Sequence, residues 1–171
     1  MHDKSVVKLG VISDTHIPGR GRRLPAAVFD HFDSVDLILH AGDFVDSGVF
    51  HELKAIAPTR GVLGNCDLSD LAGLVPIKDS FEAGGIRIGM IHDSGPRDGR
   101  RKRLRAAFPD CRVVVFGHSH HPVADDDGLL LLLNPGSACD PRAARIPTIA
   151  ILEIKDGQPK ASLIELKNQG R

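Results

Sequence analysis

Apolar residues fall into short runs separated by polar, glycine-rich turns, and the spacing of these runs predicts the elements. Residues 6–13 are β-branched and apolar, the pattern of a buried first strand. Leu24, Val28 and Phe32 recur at i, i+4 and i+8, which predicts a helix carrying Pro25 in its first turn. Residues 35–40 form a second buried run. A second helix follows, capped by Ser47, with Val49, Phe50, Leu53 and Ile56 or Ala57 on its apolar stripe and Pro58 as its stop. Residues 59–63 predict a third strand. The order β-α-β-α-β implies parallel strands joined by right-handed crossovers.

The second half is richer in strands. Runs 77–83 and 86–92 flank Gly84-Gly85, runs 123–126 and 129–133 flank Asp127-Gly128, and runs 148–154 and 160–166 flank Asp156-Gly157. Each pair reads as a hairpin. Residues 97–108 predict a helix with Leu104, Ala107 and Phe108 facing inward, and 112–116 a short buried strand. The expected fold class is α/β: two stacked mixed β-sheets, a β-sandwich flanked by α-helices. No repeat, low-complexity tract or linker interrupts residues 1–171, which read as one domain.

Composition narrows the function. Lys plus Arg and Asp plus Glu both number 22, a zero net charge that argues against coating nucleic acid. Trp and Tyr are absent, so base stacking on aromatic platforms is not expected. The longest apolar run, 129–133, is far short of the roughly 20 residues that span a bilayer. The start Met1-His2-Asp3-Lys4-Ser5 does not read as a signal peptide. Cys66, Cys111 and Cys139 are spaced too widely for a disulfide framework or metal clip. A reduced, cytoplasmic protein with no membrane partner is the expectation.

Nine His are present, and several sit beside Asp, Asn and Gly just past predicted strand ends. Asp14-Thr15-His16 follows the first strand, Gly42-Asp43 the second and Gly64-Asn65-Cys66-Asp67 the third. His92 follows the run at 86–92, and Gly117-His118-Ser119-His120 the run at 112–116. In open α/β sheets the ligand crevice lies outside the carboxyl ends of the strands, so these loops are expected to converge. The i, i+2 spacing of Asp14/His16 and His118/His120 puts both side chains of an extended pair on one side. Asp14, His16, Asp43, Asn65, His92, His118 and His120 exceed what one transition metal takes, whereas two ions sharing Asp43 would use all seven. Two such ions, about 3.5–4 Å apart, clamp a phosphoryl group. Imidazole, carboxylate and amide donors without thiolate suit Mn, Fe, Co, Ni or Zn.

This series of motifs resembles the calcineurin-like metallophosphoesterases, and its spacing is most similar to their small single-domain bacterial and archaeal phosphodiesterase branch. The resemblance runs from about Lys8 to Glu153 and includes Asn134-Pro135-Gly136-Ser137, similar to the branch's late loop near the site. It implies a two-sheet sandwich with one ion on Asp14, His16, Asp43 and His120 and the other on Asp43, Asn65, His92 and His118. Two divalent ions, Mn²⁺ foremost, a small phosphate-ester substrate and a homodimer are the corresponding expectations. The expected reaction is in-line attack on phosphorus by a hydroxide bridging the ions.

One position departs from the pattern. Larger relatives carry a His directly after the Asn, at the leaving group, and this chain has Cys66. A thiol with an ordinary pKa near 8.5 is a poor proton donor compared with His, so the preferred reading of this catalytic candidate is a small packed residue. Arg20, four residues after His16, is the candidate substrate-binding cation. The run of Arg97, Arg100, Arg101, Lys102, Arg103 and Arg105 reads as a solvated helix face, and Asp125-Asp126-Asp127 as a solvated hairpin end. His40 is expected to support the site structurally and Asp67 to fix the Asn65 turn; Ser119 is a spacer. His2, His31, His51 and His121 read as ordinary residues.

A second reading comes from another class. The eukaryotic retromer subunit of this fold is similar, with a stretch like Asp14-Thr15-His16-Ile17-Pro18, and acts by binding partners. That relative lacks part of the His set, whereas every ligand position is filled here, so the diesterase leads and a non-catalytic interaction scaffold is the alternative. A zinc amidohydrolase is disfavoured, because such sites begin with HxH in a barrel of about 250 residues.

Overall fold

The computed structural model describes residues 6–20 and 22–166; His2 lies outside them. The chain runs β1 (Val6–Ile12), α1 (Ala26–Phe32), β2 (Leu37–His40), α2 (Ser47–Lys54), β3 (Thr59–Gly61), β4 (Lys78–Ala83), β5 (Ile86–Ile91) and α3 (Arg100–Ala107). It continues through β6 (Val113–Val115), β7 (Val123–Asp126), β8 (Leu131–Asn134), a 3₁₀ turn (Arg142–Ala144), β9 (Thr148–Lys155) and β10 (Gln158–Glu165). One sheet has the order β10-β9-β1-β2-β3 and the other β4-β5-β6-β8-β7. Each holds three parallel strands: β1, β2 and β3 in the first, with antiparallel β9 on the β1 side only, and β5, β6 and β8 in the second, with antiparallel β4 and β7 on either side.

Side-chain parity explains the layering. Leu9 and Val11 of β1, Leu39 of β2 and Leu152 of β9 face Ile88, Met90, Val113, Val115, Leu131 and Leu133 of the second sheet in one buried cluster. Ile12, Ile38, Ile149 and Ile151 face the other way, onto Val28 and Phe32 of α1 and Val49 and Leu53 of α2. Val114 and Leu132 likewise face Leu104 and Phe108 beside α3. The result is helix, sheet, sheet, helix. Central strands buried on both faces read as unbroken apolar runs, as parallel strands do, while β4 and β10 alternate because one face of each is exposed.

Local details differ from the sequence reading. Asp46, not Ser47, caps α2, its carboxylate accepting from the Gly48 amide at 2.8 Å. Helix α3 begins at Arg100, not at residue 97, after Gly99 in a left-handed conformation, and Ala107 is exposed rather than inward. Arg103 folds back onto the preceding loop, donating to the carbonyls of Ser94 at 3.3 Å and Asp98 at 2.7 Å. The basic run and the acidic hairpin end are not solvated independently. Arg101 meets Asp125 at 2.8 Å and Asp127 at 3.2 Å, and Arg105 meets Asp127 at 3.0 Å. Opposite charges on α3 and the β7–β8 hairpin meet at the helix edge, where solvent screening keeps each pair weak. Among the described residues no helix is long and apolar enough to cross a membrane.

Candidate metal centre

The parallel strands of both sheets end at one edge, and the loops leaving them are laced together by backbone hydrogen bonds. Asp14, His16 and Ile17 donate amides to the carbonyls of Gly42, Asp43 and Phe44 at 3.0, 3.0 and 2.9 Å. Gly117 donates to the carbonyl of His92 at 2.9 Å. The Asp67 carboxylate gathers the amides of Gly64 at 2.7 Å, Val45 at 2.9 Å and Asp43 at 3.1 Å, so it fixes the Asn65 turn to the Asp43 loop. His40 is fully buried; its Nδ1 accepts from the Gly42 amide at 3.1 Å, which leaves Nε2–H to donate to Thr15 Oγ1 at 3.0 Å. Burial holds that imidazole well below its ordinary pKa, so it stays neutral.

The expected extended geometry of the i, i+2 pairs is not what forms. Asp14, His16, Asp43, His118 and His120 have φ of 54°, 49°, 60°, 67° and 57°, all left-handed. Such φ values in residues other than Gly cost about 1–3 kcal/mol each and persist only where surrounding structure enforces them. The convergence of the Asp14/His16 pair therefore comes from tight loops. His118 and His120 do not share one side: His120 turns to His16 and Asp14, and His118 turns to Asn65.

All seven donors predicted from the sequence come together. His120 Nε2 lies 3.2 Å from His16 Nε2 and 3.3 Å from Asp14 Oδ1, and Asp14 Oδ1 lies 4.0 Å from His16 Nε2. Asp43 Oδ2 stands between two groups, 3.5 Å from His16 Nε2 and 3.4 Å from His92 Nε2. Asn65 Oδ1 lies 3.1 Å from His92 Nε2 and 3.0 Å from His118 Nδ1. Two donors bound about 2.1 Å from one ion sit about 3.0 Å apart at a right angle and about 3.4 Å apart at a tetrahedral one. Apart from the 4.0 Å between Asp14 and His16, the observed separations of 3.0–3.5 Å lie close to that spacing.

Hydrogen bonding says what the gaps between donors need. Asp14 is fully buried; its Oδ2 accepts from Ser13 Oγ at 2.7 Å and the His118 amide at 3.1 Å, but Oδ1 has no hydrogen-bond partner. A buried carboxylate oxygen left bare is costly unless a cation meets it. His92 Nδ1 faces the Ala41 carbonyl at 2.7 Å and His120 Nδ1 faces the Asp140 carbonyl. Carbonyls only accept, so both Nδ1 atoms carry hydrogen and a neutral ring leaves Nε2 as a lone pair. For His92 that lone pair confronts the acceptor oxygens of Asp43 and Asn65. Either a proton or a metal ion resolves such an arrangement, and the donor set fits a divalent ion.

Burial drives the pKa pattern. It raises Asp14 from an ordinary 3.8 to about 7 and lowers His16 and His120. In His92 burial pulls downward, but Asp43 and Asp14 outweigh it and the net shift is upward. In Asp43 burial pushes upward, but the His92 hydrogen bond and the Cys66 amide outweigh it and hold the carboxyl well below its usual range. A cation entering the centre must displace the Asp14 proton. Below about pH 7 that competition weakens binding, and above it the penalty disappears. Mn²⁺ is therefore expected to bind about tenfold more tightly at pH 8 than at pH 6 on account of Asp14 alone. Calorimetric titration at the two pH values checks this, and equal affinities would contradict it.

The remaining predicted residues sit at the rim. Cys66 is exposed rather than packed. Its amide donates to Asp43 Oδ1 at 2.8 Å and its Sγ accepts from Asn65 Nδ2 at 3.4 Å, which turns Asn65 Oδ1 toward His92 and His118. Burial and then the Asp43 charge push the thiol up, so it stays protonated. Arg20 is largely exposed and lies 3.6 Å from Asp140. Sequence reasoning missed Arg142, whose Nε lies 3.2 Å from the same Asp140 carboxylate and whose charge acts on His16, His120 and Cys66. It missed Ser13 and Asp140 as supports of Asp14 and His120. The late loop was partly legible: Ser137 Oγ donates to the Asp14 carbonyl at 2.7 Å, and Asn134 Nδ2 to the Gly117 carbonyl at 3.0 Å and Ser119 Oγ at 3.1 Å.

The fold and this edge of converging donors define a known class. The calcineurin-like phosphoesterase superfamily domain matches residues 7–157, and the chain belongs to that superfamily. A probable metallophosphoesterase of Methanocaldococcus jannaschii is 41% identical over 162 residues, covering 93% of this chain and 81% of its own. A phosphodiesterase of the same organism is 27% identical, covering 93% of this chain and all of its own. Among solved structures, vacuolar protein sorting 29 from Cryptosporidium parvum superposes with a TM-score of 0.78 at 20% identity, covering 94% of this chain and 98% of its own. At that identity the likeness establishes the fold alone. The expected family and two-sheet architecture are both borne out.

Proposed function

We propose that the chain is a metal-dependent phosphodiesterase whose two divalent ions share the Asp43 carboxylate. The observation that carries this reading is the fully buried Asp14 Oδ1, without a hydrogen-bond partner and 3.3 Å from the lone pair of His120 Nε2. Asp14, His16, Asp43 and His120 would hold one ion, and Asp43, Asn65, His92 and His118 the other. When bound, the ions supply positive charge for the phosphoryl oxygens and a source of hydroxide near neutral pH. Oxygen and imidazole donors suit Mn²⁺, with Fe, Co, Ni and Zn as competitors. The protein's own part is orientation. The carbonyls of Ala41 and Asp140 fix the rings of His92 and His120, and Cys66 fixes the Asn65 amide. Arg20 and Arg142 share one carboxylate at the rim and leave net positive charge there to draw a phosphate ester.

A thiol that stays protonated is a poor proton donor to an alkoxide, and nitrophenolate leaves without one. Cys66→Ala is therefore expected to keep hydrolysis of bis-p-nitrophenyl phosphate within about threefold, and Cys66→His to raise hydrolysis of alkyl diesters by up to about a hundredfold. Steady-state kinetics on both substrates checks the pair. A large loss on the nitrophenyl diester in the alanine variant would instead make Cys66 part of the chemistry.

The activity test uses metal-stripped protein with bis-p-nitrophenyl phosphate. Turnover that appears with Mn²⁺ supports the diesterase. Absence of turnover with Mn²⁺, Ni²⁺, Co²⁺ and Zn²⁺ despite bound metal would shift the reading to a partner-binding scaffold on the same fold.

A further inference from the structure

Beside the second half of the centre lies a groove of about 470 Å³. Asn65, His92 and His118 are among its lining residues, so it includes three of the donors proposed for the second ion. Leu63, Ile77 and Ile91 supply the apolar part of the lining. Ile77 is 72% exposed, an uncovered branched apolar side chain next to a polar centre. The groove lining contains no Lys or Arg, and its one carboxylate belongs to Asp93. The opposite rim, by contrast, carries Arg20 and Arg142 around Asp140. The protein's side chains around the centre are thus asymmetric: Arg20 and Arg142 on the His16–His120 side, and an apolar lining without Lys or Arg on the His92–His118 side.

From this asymmetry we infer a substrate class: phosphodiesters in which one esterified alcohol is a hydrocarbon or aromatic group without a second anionic charge, that group lying along Leu63, Ile77 and Ile91. The inference rests on the diesterase reading, since it places the phosphate at the seven donors. A volume in this range suits a small organic moiety, and ligand sites typically pair such apolar walls with a few convergent polar groups. A second phosphate or carboxylate on the same arm would meet the Asp93 carboxylate, and no Lys or Arg lines the groove; Arg100 of α3 acts on Asp93 from outside the lining. Removing the exposed face of Ile77 from water is what the bound arm would gain.

The test measures binding rather than turnover. Hexylphosphonate and methylphosphonate carry the same anionic head and differ only in the apolar arm, so calorimetry on the Zn²⁺-loaded protein isolates the groove. Hexylphosphonate is expected to bind at least about tenfold more tightly. It is also expected to shift the methyl NMR signals of Leu63, Ile77 and Ile91, and Ile77→Asp, at an exposed position that threatens no core packing, is expected to bring the affinity ratio below about threefold. Equal binding of the two phosphonates, binding of neither, or an unchanged ratio in the variant would overturn the inference. Concentration-dependent broadening of those methyls without ligand would do the same and assign the groove to a second copy of the chain. The two readings separate cleanly. Turnover of bis-p-nitrophenyl phosphate with equal phosphonate affinities keeps the diesterase and removes the groove, whereas a tenfold preference without turnover removes the diesterase and the substrate class with it and leaves only an apolar binding groove.

Discussion

Asp43→Asn is expected to weaken metal binding about 10²–10³-fold and to remove metal-dependent turnover with it. Asp43 is nearly fully buried, and its Oδ2 stands between the rings of His16 and His92, so one oxygen serves both halves of the centre. The surrounding hydrogen bonds hold its carboxyl well below the usual range, which keeps the negative charge present at any working pH. Asparagine preserves the shape and an oxygen that can accept from the Cys66 amide, so the metal-free fold is expected to survive. What it removes is the charge, and stripping one partner from a buried charged interaction costs about 3–5 kcal/mol, equivalent to about 10²–10³-fold or more in affinity. Calorimetric titration with Mn²⁺, alongside circular dichroism of the metal-free variant, separates lost ligation from lost folding. Wild-type affinity in a folded variant would show that Asp43 is not shared between ions.

Gly64→Ala is expected to damage the centre without touching a donor. A Cβ at residue 64 would stand 2.1 Å from Asp43 Oδ1 and 2.3 Å from the Asp43 amide nitrogen. Neither is the free end of a flexible side chain, because Asp43 Oδ1 is held by the Cys66 amide and the Asp43 amide by Asp67. The loop must therefore open, moving Asp43 and Asn65 apart. Overpacking of this kind costs about 1–3 kcal/mol, and the melting temperature is expected to fall by several degrees, roughly 2–4 °C per kcal/mol for a chain this size. Metal affinity is expected to fall at least about tenfold, since ligand geometry tolerates only small displacement. Gly73→Ala is the matched control, with nothing within 4 Å of the added carbon. Thermal melts and Mn²⁺ titrations of both variants decide the matter; wild-type behaviour of Gly64→Ala would mean that the Asp43 loop is loose.

These expectations rest on residues that differ in how far the sequence betrayed them. The strands were legible because buried central strands must be apolar on both faces, and the hairpins because Gly84-Gly85, Asp127-Gly128 and Asp156-Gly157 supply positive φ. The donors were legible because polar residues past strand ends have few structural reasons to be His and Asp together. Their backbone was not: left-handed φ at five of the donors is imposed by loop-to-loop hydrogen bonds that no local pattern encodes. Helix α3 looked longer than it is because Arg97 continues the basic run, whereas Arg103 ties residues 94–98 into a loop. The charges of that run looked solvated because their partners, Asp125 and Asp127, lie some twenty residues away and meet them only in the fold. Asp140 and Arg142 belong to a short turn between β8 and β9 whose position is set by tertiary packing. Ile77 read as a strand residue, and its exposure beside His92 and His118 emerges only once the two sheets are stacked.

The number of ions held per chain tests the central claim most directly. Metal-stripped protein titrated with Mn²⁺ and assayed in parallel on bis-p-nitrophenyl phosphate is expected to bind two ions, with turnover following occupancy of the second. Saturation at one ion with full activity would contradict a centre built on a shared Asp43.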